Sequence, residues 1–126
     1  MRVSTRYILV TGSLMLMLAV ILGAFGAHAL KHSMSPDLLV VFNTAVDYQF
    51  IHALGLLVIG VLLLQFPESR MLLYAALSLM AGLVLFCGSL YALSLTQLTL
   101  LGAITPLGGL AFILGWLLLA LGIFKL

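Results

Sequence analysis

Residues 7–29 read YILVTGSLMLMLAVILGAFGAHA, a run with no acidic residue, lysine or arginine between Arg6 and Lys31. As a helix rising ~1.5 Å per residue, such a run crosses the ~30 Å hydrocarbon core of a bilayer. Three further runs of similar length lie outward from it, at Tyr48–Phe66, Met71–Leu93 and Pro106–Phe124. All are continuously apolar rather than alternating with period two, which disfavours the strands of a membrane barrel. Short connections then force neighbouring helices to run in opposite directions. The expected fold is therefore all-α: a four-transmembrane-helix antiparallel bundle forming one integral membrane domain, with an interfacial amphipathic segment between helices 1 and 2. Composition excludes the alternative of a soluble globule. With 65% hydrophobic residues, 6% charged residues and a mean hydropathy of +1.38, a chain of 126 residues has too little polar surface to cover itself.

The few charges orient the bundle. Arg2, Arg6, Arg70 and Lys125 fall on one side of the expected spans and only Lys31 on the other, so the positive-inside rule places both termini in the cytoplasm, in the inner (plasma) membrane of a bacterium. These scattered cations form no basic patch for nucleic acid. Arg2 and Arg6 before an apolar run, with Ala27-His28-Ala29 beyond it, imitate a secretory leader. The run exceeds the ~7–15 residues of a leader's apolar region, so a retained span is expected. Cys87 is the single cysteine and lies within the third apolar run, where it forms no intrachain disulfide.

Ser35, Pro36 and Asp37 form an N-cap, a first-turn proline and a first-turn acid, which start a helix well before Tyr48. Continuous from Pro36 to Phe66, that helix would measure ~46 Å, so a bend or an interfacial segment is expected between Asn43 and Tyr48. Pro67 to Arg70 make a polar turn that closes helices 2 and 3 into a hairpin. The connector from Ser94 to Thr105 is uncharged and carries Leu98, Leu100, Leu101 and Ile104, so it is expected to fold, partly buried, against the rim of the bundle. Thr105 and Pro106 are expected to cap and begin helix 4.

Small residues mark where membrane helices approach closely. Helix 1 carries Ala19, Gly23 and Ala27 at spacing four, helix 3 carries Ser78 and Gly82, and helix 4 carries Gly108, Gly115 and Gly122 at spacing seven. Trp116, at mid-span, suits an interhelical or protein–protein contact better than an interfacial anchor.

One polar group stands apart. His28 and Lys31 close the first run, and Asp47, Tyr48, Gln49 and His52 open the second, so the expected boundaries put them together at the non-cytoplasmic edge. Polar side chains avoid lipid, so this group is expected to face the interior, with His28 and His52 converging and Lys31 pairing Asp47 or the carbonyls ending helix 1. Such a group either locks the helices by hydrogen bonds or binds a ligand. His28, His52 and Asp47 are metal-ligand types without a recognised spacing, so no metal is expected. Bis-histidine haem ligation or a quinone pocket of His52, Tyr48 and Gln49 is open by residue type alone. No hydrolase, metalloprotease or phosphate-loop motif occurs, and Ser89 has no evident base. Helices 3 and 4 offer no ionisable ladder for a proton path. The composition thus points to a non-enzymatic membrane protein whose partners are the bilayer and either a larger membrane complex or further copies of itself, packed through glycine-lined faces. A lipid, quinone or haem site at the outer rim is the alternative, and small-solute transport by an oligomer a weaker one.

Several motifs occur in order: GAFGAHALK (Gly23–Lys31), F-x-TAVDYQ (Phe42–Gln49), HALGLL (His52–Leu57), F-x-GSLYAL (Phe86–Leu93), ITPLGG (Ile104–Gly109) and Gly115-Trp116. Together they resemble the YgdD/YwdK-type small membrane proteins, a domain-of-unknown-function family with mitochondrial transmembrane relatives. Cys87 stands where that pattern has a small hydroxyl residue. The resemblance implies a four-helix inner-membrane protein and carries over no catalytic residues. It adds Tyr91, Thr96 and Thr105 to the outer rim beside His28, Tyr48 and His52.

Overall fold

The computed structural model covers residues 1–126 and is helical throughout. Helix α1 spans Val3–His28, α2 Pro36–Gln65, α3 Arg70–Gly82, α4 Gly88–Thr96 and α5 Thr105–Phe124. A π turn at Leu83–Cys87 joins α3 and α4 into one span, and single 3-10 turns at Leu30–His32 and Thr99–Ala103 fill the two connections at the other end. Four segments are long and apolar enough to cross a membrane: 3–32, 36–65, 70–96 and 99–124.

Local chemistry explains the ends. The Ser35 hydroxyl accepts from the Leu38 amide and Pro36 fills the first turn of α2, as the sequence predicts. Ser69, within the polar turn, caps α3 in the same way through the Leu72 amide. Gln97 ends α4 in the left-handed region, with φ 58°. Thr105, expected as a cap, is not one. It is already helical, α5 has no side-chain cap, and its hydroxyl lies 2.7 Å from that of Ser89 on α4.

One expectation at the membrane edge changes. Residues 36–47 are helical, but they continue into the span without a break between Asn43 and Tyr48. The result is a 30-residue helix about 45 Å long, more than the hydrocarbon thickness, whose first turns therefore emerge from the core or tilt within it. The Ser94–Thr105 connector is partly buried, as expected: Ser94 is buried and Leu101, Gly102, Ile104 and Thr105 are half-buried. None of Thr99–Ala103 is fully buried, and Leu100 is 81% exposed, an apolar tip at the boundary.

Touching residues give the topology. Gly12 of α1 meets Leu57 of α2 and Gly26 meets Phe42, so these helices are antiparallel. Gly122 of α5 meets Leu72 of α3, and Gly108 meets Phe86 in the π turn, so the second pair is antiparallel too. Helix α2 joins the pairs by packing on α3, the π turn and α4, and α1 packs chiefly on α2. The interior is a continuous apolar cluster that includes Leu56, Ile59, Leu72, Leu79 and Phe112, while Val84, Leu110 and Ile113 face outward, as lipid-facing side chains do.

Small residues set the spacing. A Cβ on Gly108 would lie 2.2 Å from the backbone nitrogen of Phe86, one on Gly115 2.5 Å from Leu79 and one on Gly82 2.3 Å from Phe112. The Gly108, Gly115 and Gly122 seam is thus occupied by the protein's own third span rather than by another protein. On α1 the contact stripe is Gly12, Ala19 and Gly26, all buried, with Gly23 at its margin. Ala27, expected in that stripe, is exposed, because α1 turns its 5-8-12-19-26 face to α2 and leaves the neighbouring position outside.

Gly108→Ala forces a methyl group into the Phe86 backbone, which has no rotamer to yield. It is expected to lower stability by about 1–3 kcal/mol in an unfolding titration from mild detergent into SDS. Gly88→Ala, whose added carbon meets nothing within 4 Å, is expected to be neutral or slightly stabilising.

Candidate functional site

Two of the polar residues, Gln49 and His52, are buried within the bundle. His52 lies near the middle of α2, and Phe112 and Trp116 near the middle of α5. Polar groups enclosed by apolar side chains have no water to bond, so partners must come from the chain.

Gln49 is 2% exposed and joins three helices. Its amide nitrogen donates to the Met15 carbonyl of α1 at 2.8 Å, and its amide oxygen accepts from the Tyr91 hydroxyl of α4 at 2.6 Å. The Tyr91 ring also meets Phe42 edge-on, with centroids 5.2 Å apart. That geometry orients the amide: the nitrogen faces a carbonyl, which only accepts, and the oxygen faces a hydroxyl, which donates. The π turn sets the rotation of α4 that brings Tyr91 to Gln49, since it inserts an extra residue between α3 and α4.

One turn along α2, His52 is 4% exposed in an aromatic setting. Its ring stacks on Phe112 at 3.5 Å and 14°, with Tyr48 at 5.6 Å on the same helix and Trp116 tilted against it at 5.7 Å. Tyr48 stacks in turn on Phe86 at 4.4 Å. The Nδ1 of His52 lies 2.6 Å from the Tyr48 carbonyl, which as an acceptor requires the proton on that nitrogen. Helices α2 and α5 are therefore bridged here by rings.

Two hydroxyl contacts complete the interior. Ser78 donates to the Ala111 carbonyl of α5 at 2.7 Å, and Ser89 and Thr105 share a 2.7 Å bond. No buried side-chain nitrogen or oxygen lacks a partner.

The remaining members of the expected group do not join these contacts. His28, Lys31 and Asp47 are exposed and take part in no hydrogen bond or ion pair within the chain. Lys31 does not pair Asp47; the one ion pair is between exposed Arg2 and Glu68 at the opposite end. Nor do the histidines converge. The register that sets Gly26 against Phe42 puts His28 near the start of α2, about 12 residues or ~18 Å along the axis from His52. Counting the span from Tyr48 makes His52 a boundary residue, whereas along the continuous helix from Pro36 it is central. No three His, Cys, Asp or Glu side chains come together as a metal site would require.

Phe86, Phe112 and the Met15 carbonyl are the partners that the sequence conceals. The aromatic rings sit inside uniformly apolar runs and give no contrast in polarity, and a backbone carbonyl has no residue signature. Gly55, where an added Cβ would lie 2.9 Å from the Trp116 ring, carries a usable signal as a small residue opposite a large one.

The fold and this dry interior define a polytopic helical membrane protein with an internally bonded core. The chain belongs to the family described as Protein of unknown function (DUF423), which matches residues 22–109. It is similar to the UPF0382 membrane protein YwdK of Bacillus subtilis, with 43% identity over 120 residues that cover 95% of this chain and 98% of the relative. A UPF0382 membrane protein of Staphylococcus saprophyticus is 45% identical over 121 residues, covering 96% and 99%. One from Staphylococcus haemolyticus is 46% identical over 120 residues, covering 95% and 97%. No solved structure matches the chain.

Interhelical hydrogen bonds in membranes contribute about 0.6 kcal/mol on average and up to about 1.7. A double-mutant cycle of Gln49→Leu and Tyr91→Phe is expected to return a coupling in that range from SDS unfolding. His28→Ala, an exposed change, is expected to stay within about 0.5 kcal/mol of the parent.

Proposed function

We propose that this protein is a structural or accessory subunit that packs, within the bacterial inner (plasma) membrane, against a larger membrane complex or further copies of itself. The supporting observation is that the chain itself engages every buried polar side chain, so the interior serves cohesion and leaves the outer helix faces for association. The face best placed for that is on α1, where Tyr7, Val10, Leu14, Met17 and Ile21 recur at alternating spacings of three and four and are exposed. This reading assigns the protein no catalytic residue, metal or cofactor. A haem or quinone on His52 has less support, because one nitrogen is held by Tyr48 and one ring face is covered by Phe112.

Both termini are assigned to the cytoplasm. The grouping of Arg2, Arg6, Arg70 and Lys125 at the end that holds the α2–α3 turn supports this orientation.

Size exclusion in mild detergent with lysine-independent photocrosslinking from Leu14 is expected to give a crosslinked species, and proteomics of the native eluate is expected to identify its second member. A lone monomer that captures nothing across detergents would sink the subunit reading. In a Cys87→Ala background, Gln97→Cys is expected to react with an impermeant maleimide on intact cells, and Ser69→Cys only after the membrane is opened. The reverse pattern would invert the topology.

A further inference from the structure

A groove of about 650 Å³ opens at the end of the bundle between the α2–α3 turn and the last turn of α5. Phe66, Met71 and Leu126 supply its apolar wall, and Ser69, Arg70 and Lys125 its polar one. We propose that this groove binds the headgroup of an anionic phospholipid, with the phosphate between Arg70 and Lys125 and the upper acyl chain along Phe66 and Met71.

Four observations support this assignment. The groove lies where the spans end, so its apolar wall continues into the hydrocarbon and its polar wall stands at headgroup level. Arg70 and Lys125 are exposed and have no hydrogen-bond or ion-pair partner in the fold, whereas the groove's one acidic side chain, Glu68, is taken by Arg2. Even with a terminal carboxylate at Leu126, the four basic side chains at this end, Arg2, Arg6, Arg70 and Lys125, exceed Glu68 and that carboxylate by two. Finally, a guanidinium and an ammonium on opposite sides of a cleft suit a phosphodiester: Arg offers a planar fork of donors and Lys a point charge. Basic pockets between membrane helices hold anionic headgroups for these reasons. The assignment is independent of whether α1 carries a partner.

The test uses the full chain reconstituted in nanodiscs of equal parts phosphatidylglycerol and phosphatidylcholine, then released into the gas phase for native mass spectrometry. The expected result is one phosphatidylglycerol retained per chain in preference to phosphatidylcholine. The double variant Arg70→Gln/Lys125→Gln is expected to lower that retention about tenfold or more, since each basic residue near an anionic surface contributes roughly a fivefold factor. Lys31→Gln at the other end is expected to leave retention unchanged. Arg70→Lys is expected to retain most of it and shows that loss in the double variant is one of charge, while an unchanged melting temperature shows that the variants fold. Equal retention of both lipids, or equal loss in Lys31→Gln, would reduce the site to annular lipid and overturn the proposal. Displacement of the lipid by millimolar inorganic phosphate would overturn it too, and would assign the groove to a soluble phosphoanion.

Discussion

The interior of a membrane-embedded helical bundle offers no bulk water, and most features of this structure follow from that constraint. Gln49 sits there because its two ends are used at once, by the Met15 carbonyl and by the Tyr91 hydroxyl. Remove either partner and a buried amide group is left unbonded in hydrocarbon, which is costly. The bridge therefore does more than add two weak bonds. It specifies the rotation of α1 and α4 about α2, since other rotations leave the amide unsatisfied. His52 answers the same constraint differently, using a carbonyl of its own helix for one nitrogen and aromatic faces for the ring.

Cohesion between the remaining surfaces comes from close approach, because lipid tails are as apolar as leucine and give helices no hydrophobic reason to associate. Gly108 against the Phe86 backbone, Gly115 against Leu79 and Gly12 against Leu57 allow that approach. The π turn belongs to the same arrangement. It lies where α5 comes close, and the Ser89 hydroxyl donates to the Phe86 carbonyl within the turn while accepting from the Thr105 hydroxyl. A glycine seam that reads as an external docking surface in the sequence is in fact filled from within. The surface left free is the outer stripe of α1, together with the groove at the basic end.

Legibility followed contrast. The four spans, the Ser35 and Pro36 start of α2 and the Pro67–Arg70 turn stand out because charge, proline and serine interrupt long apolar runs. The same polar residues leave the span of α2 harder to place. Residues 36–47 hold enough polar side chains to look interfacial, yet they are the first turns of a helix longer than the membrane is thick. Along that continuous helix Gln49 and His52 lie about a dozen residues from the level of His28 and Lys31, while Asp47 stays beside Tyr48 on the outward face. Ala27 differs by a smaller margin, one residue, since a spacing-four stripe and a spacing-seven stripe that share Ala19 diverge within about two turns of helix.

By itself the sequence determined class, number of spans and the clustering of positive charge at one end, because bilayer thickness and the cost of buried charge act on composition and length alone. The tertiary structure decided what each polar and small residue is for. Whether Gln49 faces Tyr91, whether His52 meets Phe112 and whether Gly108 touches this chain or another depend on the rotation and register of helices. Those are fixed by pairwise packing and bonding between residues far apart in the chain, and a uniformly apolar run leaves no trace of them.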